Sequence, residues 1–325
     1  MINLDFSKVC EIIKQNKTFS IYLHINTDFD AIGSALALRR ILNKLGKVGH
    51  VFVDSILPPN VDILDEYQCI NNEKLDKYDV CCALDCNDEN RIGRLKYKYR
   101  KNVKTSFQID HHLENTMFLK VNAVKEGASS TCELIYKLAN DLNIELDKKM
   151  CKYLACGILT DTGCLKFSNV QPSTLKTMAE LLEKGGFIMD ELTYPLFNNL
   201  TFEAFELKKL SLEKLEYICD KKAGVMILTE KDLSDCGVGF EHTKGLTDLP
   251  MQIQDLKIVV VATENKMDNA YHLSIRAKDD YSAQLVAKEF GGGGHVKAAG
   301  CKISLEYEKS MKQMIIDAVK KELDR

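Results

Sequence analysis

Short apolar runs and helical stripes alternate along the first part of the chain. Phe19 to His24, His50 to Asp54, Tyr78 to Asp85 and Val103 to Ile109 predict four β-strands. Ala31 to Leu45, Ser130 to Leu142 and Lys148 to Leu159 carry apolar side chains on one helical face. Pro172 opens a further helix through Leu182, which Gly185-Gly186 ends. Strands alternating with helices predict a parallel sheet, and Tyr78 to Asp85 is apolar enough for its centre. The amino-terminal stretch MINLDFSKVCEIIKQNK reads as an amphipathic helix. Residues Thr201 to Cys219 place apolar side chains at helical spacing among charges and predict a connecting helix. A fresh unit follows, with strands at Ala223 to Thr229, Lys257 to Thr263 and Tyr271 to Ala277. A helix at Ser282 to Phe290, a GGGGH turn, a strand at Cys301 to Leu305 and a terminal helix complete it. The expected fold class is α/β: a parallel-sheet domain over 1–190, a linker helix over 191–220 and a smaller α/β domain over 221–325.

Polar residues interrupt this pattern where strands end. The first strand runs into His24-Ile25-Asn26-Thr27-Asp28-Phe29-Asp30, the third into Asp85 and the fourth into Asp110-His111-His112. A later helix ends in Thr160-Asp161-Thr162-Gly163. Parallel strands present all their carboxyl ends on one edge, where ligands bind in open α/β sheets. His24, Asp28, Asp30, Asp85, His111 and Asp161 therefore converge. Asp28 and Asp30 alternate and point the same way if their loop is extended. Four carboxylates with two or three imidazoles would repel one another without cations. Mixed oxygen and nitrogen donors suit two divalent ions, with Mn²⁺ favoured and Mg²⁺ or Co²⁺ as alternatives. Two ions about 4 Å apart suit in-line displacement at phosphorus.

Composition narrows the partners. The formal net charge of −3 over 325 residues gives no global field for long-duplex nucleic acid. No apolar run approaches the ~18 residues of a membrane span, and the amino terminus lacks the pattern of a signal peptide. Several of the twelve cysteines lie in apolar runs, among them Cys81, Cys82, Cys156 and Cys301. No CxxC pair occurs, and Cys82-x-x-x-Cys86 has no matching second pair, so the thiols read as core filler in a reducing cytoplasm.

Other polar features have plainer readings. His50, His242 and His272 read as hydrogen-bonded structural residues. Asp88 reads as a helix cap, and Ser129-Ser130-Thr131 with Glu133 as a helix N-terminus, which is favoured over phosphate binding. The run Arg94 to Lys104 interleaves cations with tyrosines, and a solvated helix or turn is favoured over a nucleic-acid patch. GGGGH follows a helix rather than the first strand, which argues against a dinucleotide loop.

HINTDFDAIGS, LDCND, DHH and GILTDTG resemble the four motifs of the DHH phosphoesterase superfamily. GGGGHVKAAG, with Ser274-Ile275-Arg276 upstream, resembles the signature of the accessory DHHA1 domain. Order and spacing resemble the short two-domain members, the NrnA-type oligoribonuclease/pAp phosphatases. The resemblance implies that His24 and Asp28 hold one metal, that Asp30, His111 and Asp161 hold the other, and that Asp85 bridges them. It places His112 beside the scissile phosphate, with Asp110 orienting it. It assigns Arg276, His295, Gly293, Gly294 and Ser274 to substrate binding across an interdomain cleft. Thr27 stands where the family usually has Pro, and Leu165 where an aromatic is common; no metal position is lost.

The implied activity is hydrolysis of short RNA (nanoRNA) and 3′-phosphoadenosine 5′-phosphate by a hydroxide activated between two cations. The first alternative is a phosphodiesterase of cyclic or linear dinucleotides such as c-di-AMP, pApA or pGpG. An inorganic pyrophosphatase ranks lower, because that family carries a different carboxyl-terminal motif, and so does a nucleotide sensor without catalysis. A homodimer is implied by the resemblance alone.

Overall fold

The computed structural model describes residues 6–97, 99–101 and 103–325. The first five residues of the expected amino-terminal helix, and Lys98 and Asn102 of the basic-aromatic run, lie outside them. The chain divides into two compact units, 1–199 and 200–325. Residues 191–220, read as a linker, fall on both sides of that division.

In the first unit, strands β1 (Thr18–Tyr22), β2 (Val48–Phe52), β3 (Val80–Leu84), β4 (Thr105–Asp110) and β5 (Val121–Val124) form one sheet in the order β2-β1-β3-β4-β5. All four pairings are parallel. The crossovers carry α2 (Phe29–Lys44), and α3 (Thr131–Asp141), α4 (Lys148–Asp161) and α5 (Pro172–Gly185) follow β5, after α1 (Ser7–Gln15) and before the short α6 (Met189–Thr193). Alternation along β1 shows how the sheet is covered. Phe19 and Ile21 enter the main core with Ile32, Leu36, Leu154 and Ile158, whereas Tyr22 enters a smaller cluster with Cys81, Ala83 and Tyr99 on the other face. Each fully buried Leu, Ile or Phe of that core stabilises the fold by roughly 1.5–3 kcal/mol.

The second unit is a mixed sheet. Strands β6 (Glu216–Ile218), β7 (Ala223–Leu228), β8 (Ile258–Asn265), β9 (Ala270–Ala277), β10 (Gly293–His295) and β11 (Ala298–Ser304) lie in the order β10-β11-β9-β8-β7-β6. Helices α9 (Ala283–Lys288) and α10 (Glu308–Leu323) cover one face through Ala283, Val286, Met311 and Ile315. On the other face α7 (Phe202–Glu213) and α8 (Glu230–Asp235) bury Leu207 and Leu233 against Val259 and Val261.

Three expectations change. The helix read over Thr201 to Cys219 stops at Glu213; Glu216 to Ile218 pairs with β7, and Leu207 is fully buried in the second unit's core. The GGGGH stretch is not only a turn, because Gly293 to His295 forms an edge strand on β11, which begins at Ala298 rather than Cys301. Asp28 and Asp30 do not share an extended loop. Asp28 caps α2, its Oδ1 accepting the amide N–H groups of Asp30 and Ala31 at 3.1 Å, and Asp30 already lies in the first helical turn.

All twelve cysteines are free. Among the described residues no helix is long and apolar enough to cross a membrane.

Candidate active site

The site begins where three parallel strands stop. β1 passes through Leu23 to His24, β3 gives way to Asp85, and β4 ends at Asp110 with His111 and His112 next. Asp28 and Asp30 come from the start of α2, and Asp161 is the last residue of α4. Their ligand atoms form three overlapping groups, each within 4.8 Å: His24, Asp28 and Asp85; Asp30, His111 and Asp161; Asp85, His111 and His112. Asp85 belongs to two groups through different oxygens. Its Oδ2 lies 3.4 Å from His24 Nε2, and its Oδ1 lies 3.5 Å from His111 Nε2.

Each imidazole is oriented by its other nitrogen. His111 Nδ1 lies 3.1 Å from the Ala128 carbonyl oxygen, so it carries the hydrogen and turns Nε2 toward Asp161 (3.3 Å) and Asp30 (3.8 Å). His24 Nδ1 lies 2.7 Å from the Ile25 carbonyl oxygen and 3.1 Å from Arg91 Nη2. One nitrogen cannot donate to the first and accept from the second, and the shorter contact puts the hydrogen on Nδ1. His24 Nε2 is then a buried acceptor without a hydrogen-bond partner among the described residues. Such second contacts fix the tautomer of a metal-binding histidine.

The carboxylates are held just as firmly. Asp30, fully buried, accepts the Thr131 and Cys132 amides at 2.7 and 2.8 Å, at the amino end of α3, where the helix dipole favours an anion. The Thr131 hydroxyl donates to Asp85 Oδ1 at 3.0 Å. Gly157 on α4 faces this pair, and a Cβ there would collide with Cys132 Sγ and press on Asp30. Behind His112 runs a buried chain. Gln108 Nε2 donates to Asn115 Oδ1 at 2.7 Å, Asn115 Nδ2 donates to Asp110 Oδ2 at 2.5 Å, and His112 Nδ1 donates to Asp110 Oδ1 at 2.8 Å.

Crowding these acids has an electrostatic cost. Burial, reinforced by Asp85, pushes the Asp30 carboxyl up to about 7. Burial also drives Asp161 well above the carboxylate range, against the pull of His111 and with the push of Asp30 and Asp85. Burial opposes ionisation of Asp85 too, but His111 and His24, when each carries a proton on Nε2, outweigh it and hold Asp85 well below its ordinary value. Among these ligand candidates Asp28 and Asp161 keep the most exposed surface, 44% and 29%, although atoms crowd Asp161 closely enough for burial to dominate its titration.

In the second unit the strand register gathers the remaining candidates. Ala298 lies opposite Arg276 on one side and His295 on the other; Gly300 lies likewise between Ser274 and Gly293. These two rows share a sheet face, because the intervening Leu273, Ile275, Ala299 and Cys301 enter the core. Gly294, opposite Ala299, has the other parity.

Sequence reasoning missed Arg91, Asn115 and Gln108, and it read Thr131 only as part of a helix N-terminus without its bond to Asp85. Thr131 sits in the Ser-Ser-Thr cap, where Ser130 Oγ accepts the Glu133 amide as the motif predicts. The other three carry no local signal. Asp88 is a cap, accepting the Asn90 amide at 2.7 Å. The basic run is largely paired: Arg94 with Asp54, Arg100 with Glu89 and Lys104 with Asp79. His50 bonds the Tyr78 hydroxyl, His272 pairs with Asp268 and His242 with Glu241, all apart from the three clusters.

Comparison with known proteins agrees in extent. Residues 18–158 match the model described as DHH family, N-terminal domain, and residues 224–323 match the DHHA1 domain. A bifunctional oligoribonuclease and PAP phosphatase NrnA from Thermus thermophilus is 28% identical over 324 residues, 98% of this chain and 94% of the relative. The Bacillus subtilis protein of the same name is 24% identical, covering 88% and 89%. An exopolyphosphatase-related protein from Bacteroides fragilis superposes with a TM-score of 0.86 at 22% identity over 95% of each chain, which shows the shared fold.

Proposed function

The chain belongs to the DHH/DHHA1 family and is a hydrolase acting on phosphoric esters, and from that premise we propose that it cleaves short oligoribonucleotides and 3′-phosphoadenosine 5′-phosphate. The observation that carries this reading is Asp85, whose two oxygens divide between two donor clusters.

The residues fit two divalent cations. His24 Nε2 is a buried acceptor without a hydrogen-bond partner among the described residues, and four mutually repelling acids, Asp28, Asp30, Asp85 and Asp161, face it and His111. His24, Asp28 and Asp85 would hold one ion. Asp30, His111 and Asp161, with Asp85 shared, would hold the other. Oxygen donors mixed with imidazole favour Mn²⁺, with Mg²⁺ or Co²⁺ as alternatives. Bound there, such ions neutralise phosphate charge and acidify water.

The chain's own residues do the rest. Thr131 and the α3 amides fix Asp85 and Asp30, so the donors are in place before a ligand arrives. Asp110 holds His112 through Nδ1, and we assign its Nε2 to proton transfer at a phosphate oxygen. On the second unit, Arg276, Ser274 and His295 with the Gly293 and Gly294 backbone form an anion-binding strip, suited to the phosphates of a short nucleotide. Twelve free thiols suit a reducing cytoplasm.

A substrate panel tests this. Purified Mn²⁺-loaded protein is expected to release mononucleotides from end-labelled di- to pentanucleotides and AMP from 3′-phosphoadenosine 5′-phosphate. It should leave cyclic dinucleotides and pyrophosphate largely intact. Rapid pyrophosphate hydrolysis with the nucleotides untouched would overturn the reading.

A further inference from the structure

The stretch that follows Asp161 adopts a backbone that side chains resist. Gly163, Cys164 and Leu165 take φ of 55°, 60° and 62° in succession. L-residues visit this left-handed region singly rather than in runs, and such strain gathers at functional sites. Hydrogen bonds hold the turn closed. The Cys164 amide donates to Leu159 O at 2.7 Å, the Leu165 amide to Thr162 Oγ1 at 3.1 Å, and the Lys166 and Phe167 amides to Thr162 O at 2.9 and 3.0 Å. Asn169 Nδ2 ties the far end to Asp161 O at 3.1 Å and Ser129 O at 2.9 Å.

The turn sorts its side chains. Cys164 and Leu165 pack against the main core, while Phe167 stands 56% exposed. Its ring lies over Gly163: a Cβ there would meet Phe167 Cζ and both Cε atoms, so the ring in this position packs on the bare glycine backbone. A solvent-facing aromatic side chain on a loop whose backbone is hydrogen-bonded closed and tied by Asn169 to the Asp161 backbone is placed to receive a planar ligand. The exposed Lys166 beside it suits a phosphate.

We propose that Phe167 is a stacking platform for a nucleobase of the substrate at the rim of the metal-ligand cluster. The proposal rests on the nucleotide reading above and deepens it. Every base has a π-face, so a platform of this kind selects for a base without choosing among them.

The chain has twelve tyrosines and no tryptophan, so Phe167→Trp introduces a single tryptophan at the site that can be excited apart from them. AMP and a dinucleotide are expected to quench its emission, and ribose 5-phosphate is not. Absence of quenching, or equal quenching by ribose 5-phosphate, overturns the platform. This readout is independent of turnover: quenching without hydrolysis supports the platform and contradicts the proposed activity, and hydrolysis without quenching does the reverse. In kinetics, Phe167→Ala should raise KM for a dinucleotide on the order of 10-fold with kcat retained, the size expected for one lost stack. Phe167→Trp should restore KM, and an abasic dinucleotide analogue should not distinguish the variants. Equal losses on the abasic and the complete substrate would show a structural role instead.

Discussion

Asp85 combines two properties that are expensive together. It is buried, and its backbone is left-handed at φ 54°. Aspartate and asparagine tolerate that region, whereas alanine does so at a cost on the order of 1 kcal/mol. The left-handed turn lets the residue leave β3, keep its amide on Ile109 O at 3.1 Å and send its two oxygens to different histidines. Two substitutions separate chemistry from strain. Asp85→Asn and Asp85→Ala should both lower turnover by more than about 100-fold, because both donor clusters lose a charge. Only Asp85→Ala should also carry the backbone penalty, so it should melt below Asp85→Asn. Parallel thermal melts and turnover assays check this; activity surviving in Asp85→Asn would remove the residue from its shared position.

The elements bring these residues together through ties outside the site as well as strand ends. Asp79 precedes β3 and clamps it to β1. Its carboxylate pairs with Lys104 at 2.7 Å and accepts the Lys17 and Thr18 amides at 3.0 Å each. The Lys104 ammonium and these donors hold its carboxyl well below the usual carboxylate range. A depressed folded-state pKa means stability that is present above the unfolded value near 4 and is lost as pH falls through the folded one. Asp79→Asn should therefore cost roughly 1–3 kcal/mol at pH 7, and the gap from wild type should close under acid unfolding toward pH 2. A gap independent of pH would show that charge is not the cause. The first four strands were legible in the sequence as apolar runs, and the polar ends of the three inner ones because those runs stop abruptly at His24, Asp85 and Asp110. β5 was not, since only Ala123 of Val121–Val124 is buried. β10 was not, because glycines carry no strand signal and the pairing comes from β11. The start of α2 was misread because an aspartate cap and an aspartate in the first turn mimic alternation. Thr131 and the Gln108–Asn115–Asp110 chain depend on contacts across the fold that no local pattern records.

At the scale of the whole molecule, two units with separate cores carry separate chemistry. The first gathers acids and imidazoles; the second presents Arg276 and His295 in register on one sheet face. A net charge of −3 leaves attraction of polyanions to such local groups. On the proposed function, nucleotide hydrolysis by this chain depends on two cations that share Asp85. The most direct measurement is dinucleotide turnover against bound Mn²⁺ per chain, starting from chelator-stripped protein. A shared Asp85 predicts no turnover in the stripped protein, steep recovery as the second equivalent binds, and more than about 100-fold less turnover at any loading in Asp85→Asn. Turnover that persists after stripping, or that saturates at one equivalent, would contradict it.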